Sequence, residues 1–291
     1  MQIIYTVAEL RLELKNHAEI AFVPTMGNLH AGHIRLVKIA RQRANFVVVS
    51  IFVNPLQFGA NEDLASYPRT LEADCEKLKV AGVDIVFVPA VEEMYPDFDG
   101  LSLNQTMTII PPPIANELCG VSRPGHFSGV ATVVMKLFNI VQPSHALFGQ
   151  KDFQQLFIIK QLVKQFNLPI EIIGADTVRE DNGLAMSSRN GYLTLEQRNQ
   201  ASQLYGTLQN IVNSVNAGSK DFIQLENQAK ITLINYGWIV DYVSIRSSAN
   251  LHPASTKDEQ LVVLGAAKLG NTRLIDNIEF LANSKLLSNL V

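Results

Sequence analysis

Three short stretches of this 291-residue chain carry side chains suited to handling a phosphate. The first is His30-Ala31-Gly32-His33, the end of the run Pro24-Thr25-Met26-Gly27-Asn28-Leu29-His30-Ala31-Gly32-His33. It follows an apolar strand-like run, Ile20-Ala21-Phe22-Val23. It precedes Ile34-Arg35-Leu36-Val37-Lys38-Ile39-Ala40-Arg41, whose apolar positions suit one side of a helix. Strand, glycine-bearing turn and helix, in that order, point backbone N–H groups and a positive dipole end at an anion. His30 and His33 fall on one face of the first helical turn, so both can reach one phosphate. Imidazoles there donate to phosphoryl oxygens as charge develops, stabilising it without becoming nucleophiles. The second stretch is Gly149-Gln150-Lys151-Asp152, at another strand-to-helix junction. Lys151 is a mobile cation for a phosphate, and Asp152 can accept from ribose hydroxyls. The third is Met186-Ser187-Ser188-Arg189, flanked by Gly183 and Asn190-Gly191, whose hydroxyls and guanidinium can close over a triphosphate. All three loops are expected on the same rim of one sheet.

The elements that must position them read as an α/β fold. Residues 46–53 and 83–89 are apolar, β-branched runs of the kind found in parallel strands covered on both faces. Further strands are expected at 146–148 and 170–173, with helices over 6–17, 70–81, 129–141 and 152–166. Alternating strands and helices predict a Rossmann-like parallel sheet with helices on both faces through residue 177. Residues 122–127 read as a loop, and 90–128 as a whole give no clear periodicity. Beyond 177 the pattern changes to a smaller α+β domain over 178–291. A long helix opens there on the capping box Thr194-Leu195-Glu196-Gln197, a second covers 220–235, and strands follow at 238–246, 261–267 and 273–275. Two domains suit the length.

Composition narrows the function classes. With 47% apolar and 18% charged residues, the balance is that of an ordinary globular protein. A net charge of −3 gives no global pull toward nucleic acid or an anionic membrane. Met1-Gln2-Ile3-Ile4-Tyr5 lacks the features of a signal peptide, and Cys75 and Cys119 stand in unrelated settings. A cytoplasmic enzyme without nucleic-acid or membrane partners is expected. His30 and His33 lack a suitably spaced third ligand for zinc.

His30-Ala31-Gly32-His33 resembles the His-x-Gly-His signature of nucleotidylyltransferases and adenylate-forming enzymes, and Met186-Ser187-Ser188-Arg189 is similar to the Lys-Met-Ser-Lys-Ser loop of class I aminoacyl-tRNA synthetases. These two join with Asn54-Pro55-Leu56-Gln57-Phe58-Gly59, Arg123-Pro124-Gly125-His126-Phe127, Lys151-Asp152-Phe153-Gln154-Gln155 and Arg273-Leu274-Ile275-Asp276-Asn277. Together they resemble the pantoate–beta-alanine ligase family along nearly the whole chain.

The resemblance implies that pantoate and ATP give pantoyl adenylate and pyrophosphate, after which beta-alanine displaces AMP to give pantothenate, a step toward coenzyme A. It implies ATP contacts from Met26, Gly27, Asn28, Leu29, His30, Ala31, Gly32 and His33, and from Gly149, Gln150, Lys151 and Asp152. It adds Val178, through its main chain, and Met186, Ser187, Ser188 and Arg189. Catalytic roles would fall to His30, His33, Lys151, Ser187, Ser188 and Arg189. Gln57 and Gln155, with Pro24 and Met26, would bind pantoate and beta-alanine. Magnesium would bridge the ATP phosphates, no organic cofactor would be tightly bound, the small domain would act as a lid over the nucleotide, and the protein would be a homodimer. Gln150 and Asn182 depart from the family's usual glutamate and aspartate, at positions of little consequence. His126 lies in a matching motif but acquires no role from the sequence. Two other readings remain: a nucleotidylyltransferase of the same superfamily, and a non-catalytic nucleotide-binding module. Gln57, Gln155 and the C-terminal domain weigh against the first; intact His30, His33, Lys151 and Arg189 weigh against the second.

Overall fold

The structure is a computed structural model and describes residues 1–59, 62 and 64–282. It divides into two compact units: Met1–Gln150 with Gln154–Thr177, and Lys151–Phe153 with the chain from Val178 onward. The first unit is built on six parallel strands, β1 (Gln2–Ile4), β2 (Ile20–Thr25), β3 (Phe46–Ile51), β4 (Ile85–Phe87), β5 (His145–Gly149) and β6 (Glu171–Ala175). They are ordered β1-β4-β3-β2-β5-β6. Helices α1 (Val7–Leu14), α2 (Ala31–Arg43), α3 (Leu71–Val80), α4 (Val91–Met94), α5 (Cys119–Ser122), α6 (His126–Val141) and α7 (Phe153–Gln165) connect them.

Alternation along each strand explains why both faces are covered. Phe22, Val48, Ala146 and Phe148 point into one apolar layer with Leu10 of α1, Val134 and Leu137 of α6, and Ile159 of α7. Ala21, Val23, Val47, Val49 and Leu147 point into the opposite layer with Val37 and Ala40 of α2 and Leu78 of α3. Period-two side chains that are apolar on both sides leave such a strand no solvent face.

The second unit packs α8 (Leu195–Asn216) and α9 (Phe222–Asn235) on an antiparallel sheet of β7 (Ile239–Ser247), β8 (Gln260–Leu269) and β9 (Thr272–Leu281). The capping box at Thr194 and Gln197 forms as the sequence predicts, Gln197 N–H to Thr194 Oγ1 and Thr194 N–H to Gln197 Oε1. A Cβ on Gly265 would lie 3.1 Å from Leu204 Cδ1, so that glycine lets α8 settle closely on β8.

Two expectations change. The short strand β1 has no signal in the sequence, because two of its three residues are exposed and no alternation is visible. The loop expected over 122–127 shortens to 123–125: Ser122 closes α5, and α6 begins at His126, earlier than expected. Gly125 sits ahead of it at φ +80°, a conformation glycine adopts without cost, so the helix starts directly after the Arg123-Pro124-Gly125 turn.

Candidate active site

Strand order reverses between β2 and β5, since β2 leads to β3 on one side while β5 leads to β6 on the other. In open parallel sheets ligands bind at the carboxyl ends of such strands. β2 pairs with β3 from Ile20 to Thr25, but with β5 only at Ala21 and Phe22. Pro24, which has no N–H to offer, lies in the stretch paired with β3 alone. Gly149 ends β5, and a Cβ placed on it would meet open space.

The turn after β2 is held from beneath. Gly27 has φ +81° and Asn28 φ +49°; a Cβ on Gly27 would also crowd Ile51 Cγ2 at 3.1 Å. Thr25 Oγ1 donates to Ser50 O at 2.7 Å and accepts from Gly27 N–H at 3.3 Å. Asp74 of α3, fully buried, accepts from Asn28 N–H and Leu29 N–H, both at 2.8 Å. Thr70 Oγ1 donates to the same carboxylate at 3.0 Å, and Lys77 Nζ ties α3 to Leu29 O at 2.7 Å. Asp74 and Lys77 carry no motif in the sequence.

His30 and His33 come together as the spacing predicts, with ring centroids 4.1 Å apart. Their role in the turn differs from the expectation that main-chain amides face the anion. His30 caps α2, its Nδ1 accepting from Gly32 N–H at 3.1 Å, and His33 Nδ1 accepts from His30 N–H at 3.3 Å. The amides of Asn28, Leu29, His30 and Gly32 are therefore committed to Asp74 and the imidazoles. An imidazole that accepts at Nδ1 carries its hydrogen on Nε2, so each ring presents a donor from its far edge. Gly32 is needed for this: a Cβ there would fall 2.8 Å from the His30 ring.

Gln57 closes a 3₁₀ turn, Pro55–Gln57, and is buried. Its amide is oriented by a chain of donors. Tyr95, buried so that its phenol is pushed well up and stays protonated, donates to Asn54 Oδ1. Asn54 Nδ2 then donates to Gln57 Oε1 at 3.1 Å, leaving Gln57 Nε2 toward Met26 Sδ at 3.1 Å. A thioether is a weak acceptor, so this donor awaits a better one. The Gln57 main chain is fixed as well: its carbonyl meets His126 Nδ1 at 2.9 Å, and a Cβ on Gly129 of α6 would lie 2.7 Å from Gln57 Cα. Tyr95 and Asn54 are separated in sequence from any signal that would pair them. Gln155 lies half-buried on α7, while its neighbour Gln154 is buried and donates to Ile114 O and Glu117 O.

The remaining predicted residues belong to the second unit. Met186–Arg189 is the continuation of a small hairpin bridged at Arg179 and Ala185. Met186 N–H donates to Val178 O at 2.9 Å. Ser187 Oγ accepts from Arg189 N–H at 3.2 Å and caps the 3₁₀ turn Ser188–Tyr192. Ion pairs brace the hairpin. Arg179 makes a two-point pair with buried Asp276 of β9 at 2.7 and 3.0 Å and stacks 3.6 Å over the Tyr205 ring. Arg198 pairs with Glu180 at 2.7 Å, which holds that carboxyl below its ordinary range, and Glu180 also accepts from Asn190 Nδ2. Asn277 Nδ2 donates to Lys151 O at 2.8 Å, fixing the main chain that carries the lysine, while Asp152 is exposed. Asp276 and Asn277 are thus the working end of the 273–277 motif. Among the described residues no group of three or more His, Cys, Asp or Glu side chains is placed to hold a metal ion.

The chain matches the family model described as pantoate-beta-alanine ligase over residues 2–279. It is 65% identical over 280 residues to the pantothenate synthetase of Methylobacillus flagellatus, covering 96% of this chain and 99% of that one. To the pantothenate synthetase of Chromobacterium violaceum it is 55% identical, with the same coverage. Among solved structures, the pantothenate synthetase of Thermus thermophilus matches with a TM-score of 0.89 at 42% identity, over 96% of this chain and 99% of that one. The Francisella tularensis pantoate-beta-alanine ligase, solved with beta-gamma ATP and beta-alanine, matches with a TM-score of 0.78 at 36% identity, over 98% of each chain.

Proposed function

The chain belongs to the pantoate-beta-alanine ligase family, and we propose that the loops described above are where its reaction is carried out. It is an ATP-dependent ligase that makes pantothenate from pantoate and beta-alanine. A pantoate carboxylate oxygen attacks the α-phosphorus of ATP; the bond to the bridging oxygen breaks and pyrophosphate leaves. The neutral amine of beta-alanine then attacks the acyl carbon of the adenylate, the bond to AMP oxygen breaks, and the nitrogen loses a proton. Neither step needs a covalent link to the protein. The protein must align the carboxylate with phosphorus and neutralise the departing charge.

The observation that carries this reading is the imidazole pair at the end of β2, each ring accepting at Nδ1 and presenting Nε2–H. Those hydrogens serve the phosphoryl oxygens, with Lys151 as the mobile cation and Ser187, Ser188 and Arg189 as the clamp. Pro24 and Met26 through His33, with Gly149 and Gln150, line the nucleotide and acid sites. Asp152 takes the ribose. The Val178 carbonyl already accepts from Met186, so adenine is met through the Val178 N–H and the carbonyl's second lone pair. Gln57 Nε2 donates to a pantoate oxygen in place of the Met26 sulfur, and Gln155 supplies a second uncharged amide. Magnesium bound to the ATP phosphates would supply charge neutralisation there. The second unit acts as a lid over the nucleotide, and the enzyme works as a cytoplasmic homodimer. Among the described residues no helix is long and apolar enough to cross a membrane.

The test follows pyrophosphate and AMP from magnesium-ATP with pantoate, with and without beta-alanine. Pyrophosphate with pantoate alone, and sustained AMP only after beta-alanine is added, is expected. His33→Ala and Lys151→Ala should each slow adenylate formation by about 10²–10³. Near-normal rates in both variants would overturn the phosphate assignment.

A further inference from the structure

His126, the first residue of α6, is buried. Both of its ring nitrogens are engaged, and the chemistry of each partner fixes the tautomer. Nδ1 lies 2.9 Å from Gln57 O, and a carbonyl oxygen can only accept, so Nδ1 carries the hydrogen. Nε2 lies 2.8 Å from Arg123 Nη1, and a guanidinium can only donate, so Nε2 is the acceptor. Arg123 is itself held in a two-point pair with Glu62, Nε to Oε1 at 2.8 Å and Nη2 to Oε2 at 2.6 Å. The planar fork matches the carboxylate, so Arg123 has one preferred pose and offers one N–H edge to the ring. A doubly protonated imidazole would lose its contact with Arg123 and set two cations side by side.

We infer that His126, held as the Nδ1–H tautomer by the Glu62–Arg123 pair, is a positioning residue for pantoate that fixes the Gln57 main chain and so the placement of its amide. This rests on the reading that Gln57 binds pantoate. The amide has two independent supports. The Tyr95–Asn54 chain decides which end of it faces outward, and His126 decides where the residue sits against α6, with Gly129 leaving the helix no Cβ to push it away.

The variants separate a positioning role from mere filling of space. Asparagine at 126 places an amide N–H where Nδ1 stands; glutamine places its polar end nearer Nε2. His126→Phe and His126→Gln are expected to raise the KM for pantoate by about tenfold, the worth of one well-placed hydrogen bond. The KM values for ATP and beta-alanine should stay within about twofold. His126→Asn should recover most of the pantoate affinity. Gln57→Ala, run alongside, tests the reading beneath: an unchanged pantoate KM in that variant would overturn both. If Gln57→Ala raises the pantoate KM, either of two results would overturn the inference alone. One is His126→Asn and His126→Gln behaving alike; the other is the beta-alanine KM moving in place of the pantoate KM. Should His126→Phe fail to fold, the Asn and Gln pair still decides.

Discussion

The turn after β2 and the hairpin after Val178 both carry side chains that we propose handle phosphate, yet they are held in opposite ways. The first rests on a buried carboxylate bonded to main-chain N–H groups, so almost no rotatable bonds lie between the support and the loop. The second hangs on arginine ion pairs, Arg179 with Asp276 and Arg198 with Glu180, whose long side chains have slack and whose arginines are 20% and 48% exposed. Its tip turns on the Ser187 cap of Arg189 N–H and on Asn190 Nδ2, which donates to Ala185 O. A turn that must align a carboxylate with phosphorus is best fixed before substrate arrives. A segment proposed to close over a triphosphate and later release pyrophosphate is best braced at its base.

Removing the support of the first turn should give the largest effect. Asp74→Ala leaves the amides of Asn28 and Leu29 without their acceptor, at about 1–3 kcal/mol for each unsatisfied group. Denaturant unfolding of the first unit should show that loss, and adenylate formation should fall with it; an unfolding midpoint equal to the wild type's would end the contrast. Asp276→Asn keeps the volume but removes the charge opposite Arg179, an expected cost of about 1.5–3 kcal/mol, offset in part by the Tyr205 stack. Its signature should be a several-fold rise in the KM for ATP with pantoate binding unchanged. A matched rise for pantoate would show that the hairpin does not act on the nucleotide alone.

The smallest effect concerns acid. Arg198 holds the Glu180 carboxyl below its ordinary range. A lowered folded value means that the pair's stabilisation is present above the ordinary carboxylate range and is lost as pH falls below it, through the lowered folded value. Melting curves of Glu180→Gln should therefore be flatter on the acid side than those of the wild type, by less than about 1 kcal/mol, since Arg198 is well exposed. Parallel acid limbs in both proteins would remove Glu180 from the brace.

How much of this was legible in the sequence depends on range. Local rules worked where local physics decides: alternating apolar strands, the Thr194–Gln197 capping box, and two imidazoles one helical turn apart. The supports were not legible, because their partners are distant in the chain. Asp74 reaches back 45 and 46 residues, and His126 reaches back 69 to Gln57. Asp74 carries no motif, and His126 and Phe127 read as part of a loop because nothing local shows that Gly125 turns directly into α6. The family resemblance found the motif around His126, and only the position of Gln57 O gives that ring its task.

The sulfur of Met26 beside the Gln57 amide has a last consequence. A strong resident partner would have to be broken each time the acid entered, and it would compete each time product had to leave. The thioether keeps the donor aligned in the empty enzyme while holding it weakly. On the proposed reading that Gln57 binds pantoate, an entering oxygen would replace a weak acceptor by a strong one, and the amide would return to the same rest position when product left.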